Sequence, residues 1–157
     1  MKLIAQLALN YRIFERLALV SILAWLVLSK TLPLIAIAVQ IAVGLLVISY
    51  YSKVVVPLNP EKFNPRESFI FKLMYASSAI ITIAVLFSLM HWPSVIALAL
   101  AGSASVITAI LLGFRHIRAN SPLITRAVMF RGFVFFFIAL LIISRELLIS
   151  NKMQIAL

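Results

Sequence analysis

Five long apolar runs, separated by charged residues and prolines, dominate the pattern of hydrophobic and polar positions along this chain. They cover residues 13–29, 34–51, 73–92, 94–114 and 128–144. About 20 helical residues cross the roughly 30 Å hydrocarbon core of a bilayer, and the third and fourth runs reach that length. The shorter first and last runs reach the headgroups if flanking arginines snorkel. The pattern predicts an all-α integral membrane protein, with residues 1–157 forming a single transmembrane domain of five helices.

Two connections between runs are so short that each predicts a helical hairpin. Residues 30–33 and 90–93 each end in a proline, Pro33 and Pro93. Proline fixes φ and lacks an N–H, so it suits the first turn of a new helix and not a helix interior. We therefore expect two proline-started hairpins followed by a fifth helix.

The composition indicates that much of the protein surface contacts lipid rather than water. The chain is 64% hydrophobic and 11% charged, whereas soluble domains carry about a quarter charged residues. Such a small set of charges cannot cover a water-soluble globule of this length, which excludes an ordinary soluble domain.

The basic residues fall mainly on one side of the predicted topology. The net charge of +10 is typical of a nucleic-acid binder, but these cations lie at the ends of apolar runs and not along one polar face, so we expect no nucleic-acid partner. Lys30, Arg145 and Lys152 lie on one side; the other side holds 11 of the 14 basic residues, Lys2, Arg12, Arg16, Lys53, Lys62, Arg66, Lys72, Arg115, Arg118, Arg126 and Arg131. Short loops rich in Lys and Arg stay in the cytoplasm. The N-terminus is therefore expected in the cytoplasm and the C-terminus outside; a four-helix alternative has to discard one apolar run.

Small residues predict where helices approach one another. The fourth run carries five of them at a spacing of four: Ala97, Ala101, Ser105, Ala109 and Gly113. Such residues allow close backbone approach in lipid, so this stripe either closes the hairpin with the third run or docks another subunit. Gln40, an amide inside the second run with Gly44 one turn away, is expected to bond to a neighbouring helix.

Aromatic and basic residues at the run ends are expected to anchor the helices in the headgroup layer. Trp92, His91, Arg12, Lys72 and Arg131 are the predicted interface anchors. A second set, Arg115, Arg118 and Arg126, either contacts anionic lipid headgroups or only fixes the topology.

Candidate chemistry is sparse along the chain. It has no cysteine and no aspartate, and its four glutamates lie in loops or at helix ends, so a proton relay within the membrane is not expected. The two histidines, His91 and His116, lie at opposite ends of the fourth run, about 37 Å apart along a helix, and cannot share one metal. We expect no cofactor, no metal and no enzymatic activity.

One stretch resembles a known family. Residues 85–93, Val-Leu-Phe-Ser-Leu-Met-His-Trp-Pro, are similar to the Leu-Phe-Lys-x-Met-His-Trp-Pro-Gly signature of GldL-type gliding-motility proteins and related small membrane proteins of Bacteroidota. Ser88 replaces the lysine of that signature, and Ser94 replaces its glycine. The resemblance implies a helical hairpin over residues 70–114, a bacterial inner-membrane location and assembly with partners. The glutamate on which motor function depends in that family has no counterpart in the fourth run, so motor activity is not carried over.

Two functions remain open at this point. The first is a non-enzymatic inner-membrane subunit or scaffold that packs against other membrane subunits, or against itself, within a larger complex. The alternative is a small transporter or lipid-handling protein with a polar cavity near Gln40 and the serines of the third and fourth runs.

Overall fold

The described part of the chain is entirely helical. A computed structural model describes residues 33–57, 64–117 and 124–155, and within these ranges it contains four α-helices and no strand. They are α1 (Pro33–Val55), α2 (Pro65–Leu89), α3 (Val95–Ile117) and α4 (Arg126–Ile155). They correspond to the second to fifth apolar runs. The first run, residues 13–29, lies outside the described residues.

All four described helices are long and apolar enough to cross a membrane. The candidate spans are Ile37–Val55, Pro65–Leu89, Val95–Phe114 and Arg126–Leu148, of 19, 25, 20 and 23 residues. By length and composition these are the helices of a multi-pass membrane protein, as the apolar runs predict.

The helix α2 lies at the centre of the packing. It contacts α1, α3 and α4, and α3 also contacts α4. Half of the residues in the most apolar stretch of α2 are buried inside the protein, compared with 28% of those in the most apolar stretch of α4. Tyr75 bonds to Arg131 and Ser88 bonds to Arg145, so α2 and α4 run parallel and begin at the same end. Gly102 lies beside Ile81 and Gly113 beside Met129, so α3 runs antiparallel to both. We call this end, where α1 and α3 finish, the basic end, and the opposite end, which holds the connection between α2 and α3, the turn end.

The start of α2 lies eight residues before the predicted run. Asn64 accepts a hydrogen bond at its side-chain Oδ1 from the backbone N–H of Arg66 at 3.0 Å, and Pro65 is the first helical residue. Asparagine before the first turn and proline at its first position are strong helix-start signals. A search for apolar runs misses this helix start because asparagine is polar and proline is frequent in loops.

The far end of α4 is longer than predicted. The helix continues through Arg145 and Glu146 to Ile155, 30 residues in all, instead of ending at residue 144. The two charges were expected to stop the helix at the membrane surface. They lie instead beside α2, where Ser88 contacts both.

The Met-His-Trp-Pro stretch forms the turn that ends α2 and leads to α3. The backbone N–H of Trp92 donates to the carbonyl of Phe87 at 2.9 Å, and the backbone N–H of His91 donates to the carbonyl of Ser88 at 3.4 Å. His91 has a φ of 53°. These are the two bonds and the left-handed residue of a Schellman C-cap, and the accompanying apolar contact is the Phe87–Trp92 ring pair at 5.0 Å.

The second proline does not start a helix as predicted. Pro93 lies two residues before α3, and Ser94 between them has a φ of 70° while its carbonyl accepts the N–H of Leu98 at 3.1 Å. Ser94 is therefore the residue that turns the chain into α3.

Candidate functional site: the faces of the third helix and two polar clusters

The inner face of α3 packs tightly on its neighbours. A Cβ atom added at Gly102 would lie 2.5 Å from Cγ1 of Ile81 and 3.3 Å from its backbone nitrogen. At Gly113 it would lie 2.7 Å from the sulfur of Met129 on α4. Glycine at position 102 is what allows the backbone of α2 to approach α3, whereas at Gly113 the near atoms belong to the flexible end of the Met129 side chain.

The predicted stripe of small residues matches this packed face only toward the basic end. Ala109 and Gly113 are buried, but Ala97 and Ala101 are exposed and Ser105 is half-buried. The reason is geometric: a step of four residues advances about 400° around a helix of 3.6 residues per turn, a drift of about 40° per step. The buried positions instead alternate steps of three and four residues: Ala99, Gly102, Val106, Ala109 and Gly113.

The first three residues of the predicted stripe therefore belong to a second surface, which faces outward from the bundle. Five small side chains fall within a sector of about 100° on this side of α3, and none of them lies on the buried face. We call this the outer small-residue stripe, and it consists of Ala97, Ala101, Ala104, Ser105 and Thr108. The hydroxyls of Ser105 and Thr108 donate to carbonyls of their own helix at 2.9 Å, so the stripe is small and shows no unsatisfied hydroxyl.

The outer faces of α1 and α4 differ from this stripe. On α4, Phe130 and Phe137 are 70% and 66% exposed. On α1, Ile41 and Ile48 are 59% and 52% exposed. Bulky side chains of this kind suit contact with lipid tails, whereas small residues are enriched where one membrane helix packs against another.

A cluster of aromatic rings around one arginine joins three helices toward the basic end. Arg131 donates from Nη1 to the hydroxyl of Tyr75 at 2.9 Å, and its Cζ lies 5.7 Å from the centre of that ring. Tyr50 of α1 lies 5.9 Å from Tyr75 and 5.4 Å from Phe135 of α4, ring centre to ring centre. Tyr50 and Tyr75 are 0% and 3% exposed. We call these four residues the Tyr–Arg cluster.

The guanidinium of this cluster lies inside the span of α4. Arg131 is about 7.5 Å along the helix from Arg126 at its start. The sequence predicts that Arg131 is an interface anchor, and its place near the start of α4 is compatible with that role. In the structure its side chain is half-buried and holds α4 to α2.

A second polar cluster joins the same two helices at the turn end. The buried hydroxyl of Ser88 donates to Oε1 of Glu146 at 2.7 Å and accepts from Nη1 of Arg145 at 2.6 Å. The Arg145 and Glu146 side chains lie 3.7 Å apart and are 45% and 23% exposed. We call these three residues the Ser–Arg–Glu cluster. It lies about 20 Å along α2 from Tyr75, so α2 and α4 are bonded to each other at two levels.

The other predicted site residues are dispersed. Gln40 is half-buried, and a Cβ added at Gly44 would have no atom within 4 Å. Among the described helices, Gly44 therefore marks no close approach, unlike Gly102. Trp92 is 49% exposed and His91 is exposed, both at the turn end.

The predicted basic contacts fall near the opposite end. Lys72 is half-buried, Arg126 is exposed at the first position of α4, and Arg115 belongs to the last turn of α3. Arg12 and Arg118 lie outside the described residues.

Three buried hydroxyl residues in the middle of α2 bond back onto their own helix. Ser77 and Ser78 each donate to the carbonyl of Met74, at 3.0 and 2.8 Å, and Thr82 donates to that of Ser78 at 2.7 Å. Each hydroxyl is buried and bonded within its own helix, as is usual for Ser and Thr in membrane helices. Among residues 33–57, 64–117 and 124–155, no group of three His, Cys, Asp or Glu side chains is placed to hold a metal ion.

Sequence reasoning missed both polar clusters. Tyr75 was read as part of an apolar run, and Arg145 and Glu146 as a helix end. A usable signal was present in the spacing: Tyr75 precedes Arg131 by 56 residues, and Ser88 precedes Arg145 by 57. Nearly equal offsets are expected when two parallel helices pair in one register, but the pairing itself has to be known first.

Comparisons of the chain with protein-family models, with curated proteins and with solved structures found no match.

Proposed function

We propose that this protein is a non-enzymatic membrane subunit that packs within a larger membrane protein complex. The observation that carries this proposal is the outer small-residue stripe of α3. Its small side chains face away from α2 and α4, which already pack on the opposite side of the helix. In lipid, small residues favour helix association because they permit close contact of backbones.

The partner that fits this stripe is an apolar transmembrane helix, supplied by another subunit or by a second copy of this chain. From Ala97 to Thr108 the stripe is about 16 Å long, which is about half of a membrane span. Leu111 and Leu112 follow it and are exposed, so the close approach would be confined to the half of the span nearest the turn end.

For the orientation, we propose that the basic end faces the cytoplasm of a bacterial inner membrane. The excess of Lys and Arg at this end supports the orientation. The similarity of residues 85–93 to GldL-type proteins supports the membrane and the tendency to assemble with partners. The chain contains no cysteine, so single cysteines at Asn64 and His91, labelled with a membrane-impermeant maleimide in intact cells, test the orientation without background from other sites. Labelling of position 91 alone is expected. Labelling of position 64 alone would show the opposite orientation.

The alternative of a transporter with a polar cavity has weaker support. It depends on Gln40 and on the serines of α2 and α3. The hydroxyls of Ser77, Ser78 and Thr82 on α2 bond to carbonyls of their own helix, which leaves these three groups poorly placed to bind a solute.

Photocrosslinking in native membranes tests the partner directly. A diazirine amino acid at Ala101 is expected to give one discrete adduct heavier than the 17.5 kDa chain. The matched control is the same amino acid at Ala38, an exposed alanine on α1. Adducts of equal yield from both positions, or only lipid adducts from Ala101, would contradict the proposal.

A further inference from the structure

The basic end holds most of the positive charge of the described helices. Within the described residues, one glutamate lies at each end, Glu67 at the basic end and Glu146 at the turn end. The turn end holds Arg145 and Lys152, and the basic end holds the six other basic residues, Lys53, Arg66, Lys72, Arg115, Arg126 and Arg131.

Two of these cations lie on the surface without a protein counter-ion. The side chains of Arg66 and Arg126 are exposed, and neither forms an ion pair within the ranges that the structure describes. Each lies in the first turn of a helix, where the exposed backbone N–H groups add partial positive charge. The first turn of α4 contains no acidic residue to offset it.

Each of these arginines is followed, one helical turn deeper, by an exposed phenyl ring. Phe69 lies three residues after Arg66 and is 60% exposed, and Phe130 lies four residues after Arg126 and is 70% exposed. Residues three or four apart share a helix face. The surface therefore presents a cation above an apolar ring twice, on two parallel helices that start at the same end.

We propose that Arg66 with Phe69 and Arg126 with Phe130 form two binding surfaces for anionic phospholipids of the adjacent leaflet, one on each helix. The cation lies where the phosphate of a lipid would be, and the ring lies where its acyl chains begin. This order matches the head and tail of an amphiphile and does not follow from topology control, which requires only charge. The inference does not rest on the proposed partner of α3.

Native mass spectrometry in a neutral detergent tests these surfaces. The probes are phosphatidylglycerol and phosphatidylcholine with the same acyl chains. We expect phosphatidylglycerol to bind preferentially, and Arg66→Gln and Arg126→Gln each to weaken its binding about fivefold, the effect of one surface cation. The double variant is expected to lose the preference, because neither surface then keeps its cation.

Two controls separate charge from folding. The double variant Arg66→Lys/Arg126→Lys keeps both charges and is expected to keep the lipid preference. Lys152→Gln removes one cation from the turn end and is expected to change nothing. Circular dichroism of each variant verifies its helix content, and the single glutamine variants, altered only at an exposed side chain, provide the measurement if the double variant fails to fold.

Three results would overturn the inference. These are equal binding of the two lipids to the unmodified chain, a preference that survives in the double glutamine variant, and displacement of the lipid by soluble glycerol phosphate at equal concentration. The last would indicate a site for soluble phosphate rather than for a lipid.

Discussion

Gly102 and Ala101 are neighbours in sequence but lie on different faces of α3, about 100° apart around the helix axis. At Gly102 an added Cβ would lie 2.5 Å from Ile81, so the absence of a side chain is needed for the α2–α3 contact. Ala101 is exposed on the outer small-residue stripe, and the four described helices make no comparable use of its small size. The comparison teaches that small residues in a membrane helix are not evidence of one packing face.

Polar groups show the same division. On the inside, the hydroxyls of Tyr75 and Ser88 bond to side chains of α4 and hold two helices together. On the outer stripe, the hydroxyls of Ser105 and Thr108 bond only to their own helix. The hydroxyls of Tyr75 and Ser88 therefore stabilise the bundle, unlike the buried hydroxyls that bond within α2. The outer hydroxyls are expected to affect only what binds to the bundle.

The largest effect is expected from filling the inner face. Gly102→Leu should lower the free energy of unfolding by about 3 kcal/mol, the upper end for overpacking, because the new side chain meets both Ile80 and Ile81. Unfolding in detergent, followed by circular dichroism, measures this. Gly44→Leu is the matched control, since nothing lies within 4 Å of its Cβ position; equal losses in the two variants would contradict the described packing.

A smaller loss is expected at the turn end. Ser88→Ala removes a hydroxyl that bonds to two charged side chains. A hydrogen bond to a charged group contributes about 1.5–3 kcal/mol to stability. We expect a loss of about 2 kcal/mol in the same unfolding assay. Ser105→Ala, which removes only a bond within α3, serves as the control, and a loss there as large as at Ser88 would erase the distinction between the inner and outer hydroxyls.

The Tyr–Arg cluster should respond more weakly to loss of one hydroxyl. Tyr75→Phe keeps the ring and its contacts with Tyr50 and Phe71 but removes the acceptor for Arg131. Hydrogen bonds between membrane helices average about 0.6 kcal/mol and reach about 1.7 kcal/mol, so we expect a loss of about 1 kcal/mol. Tyr51→Phe, at a 62% exposed position, should leave stability unchanged; a larger effect there would show that the exposed hydroxyl, not the inner one, stabilises the bundle.

A gain is expected at the turn, which touches neither face of α3. Ser94 has a φ of 70°, a conformation that costs a residue with a Cβ about 1–2 kcal/mol and glycine almost nothing. Ser94→Gly should therefore raise stability, by about 0.5–1 kcal/mol after the added freedom of the unfolded chain is subtracted. Ser144→Gly, inside α4, should lower it by a similar amount. A loss at position 94 would contradict the left-handed conformation.

The helices themselves were predictable from sequence, and their contacts were not. Hydropathy located α1 to α4 because a run of about 20 apolar residues has few alternatives to a membrane span. It failed at the start of α2, where the signal lies in Asn64 and Pro65 rather than in hydropathy. It also failed at Arg145, because charges were assumed to mark the membrane surface and not a contact with another helix.

The packing face of α3 was predictable only in part for a similar reason. A strict spacing of four selects residues that drift around the helix, and only Ala109 and Gly113 of the five remain on the buried side. Whether a small residue packs inside the bundle depends on which neighbours occupy its two sides. That information comes from the arrangement of α2 and α4 and not from the composition of α3.

The most direct test of the proposed function is the mass of the protein extracted from its native membrane in mild detergent. We expect the unmodified chain to elute in a complex heavier than its own 17.5 kDa, Ala101→Leu to reduce it to a folded monomer, and Ala38→Leu to leave the complex intact. An unmodified chain that is always monomeric, or a complex that persists in Ala101→Leu, would contradict the proposed function.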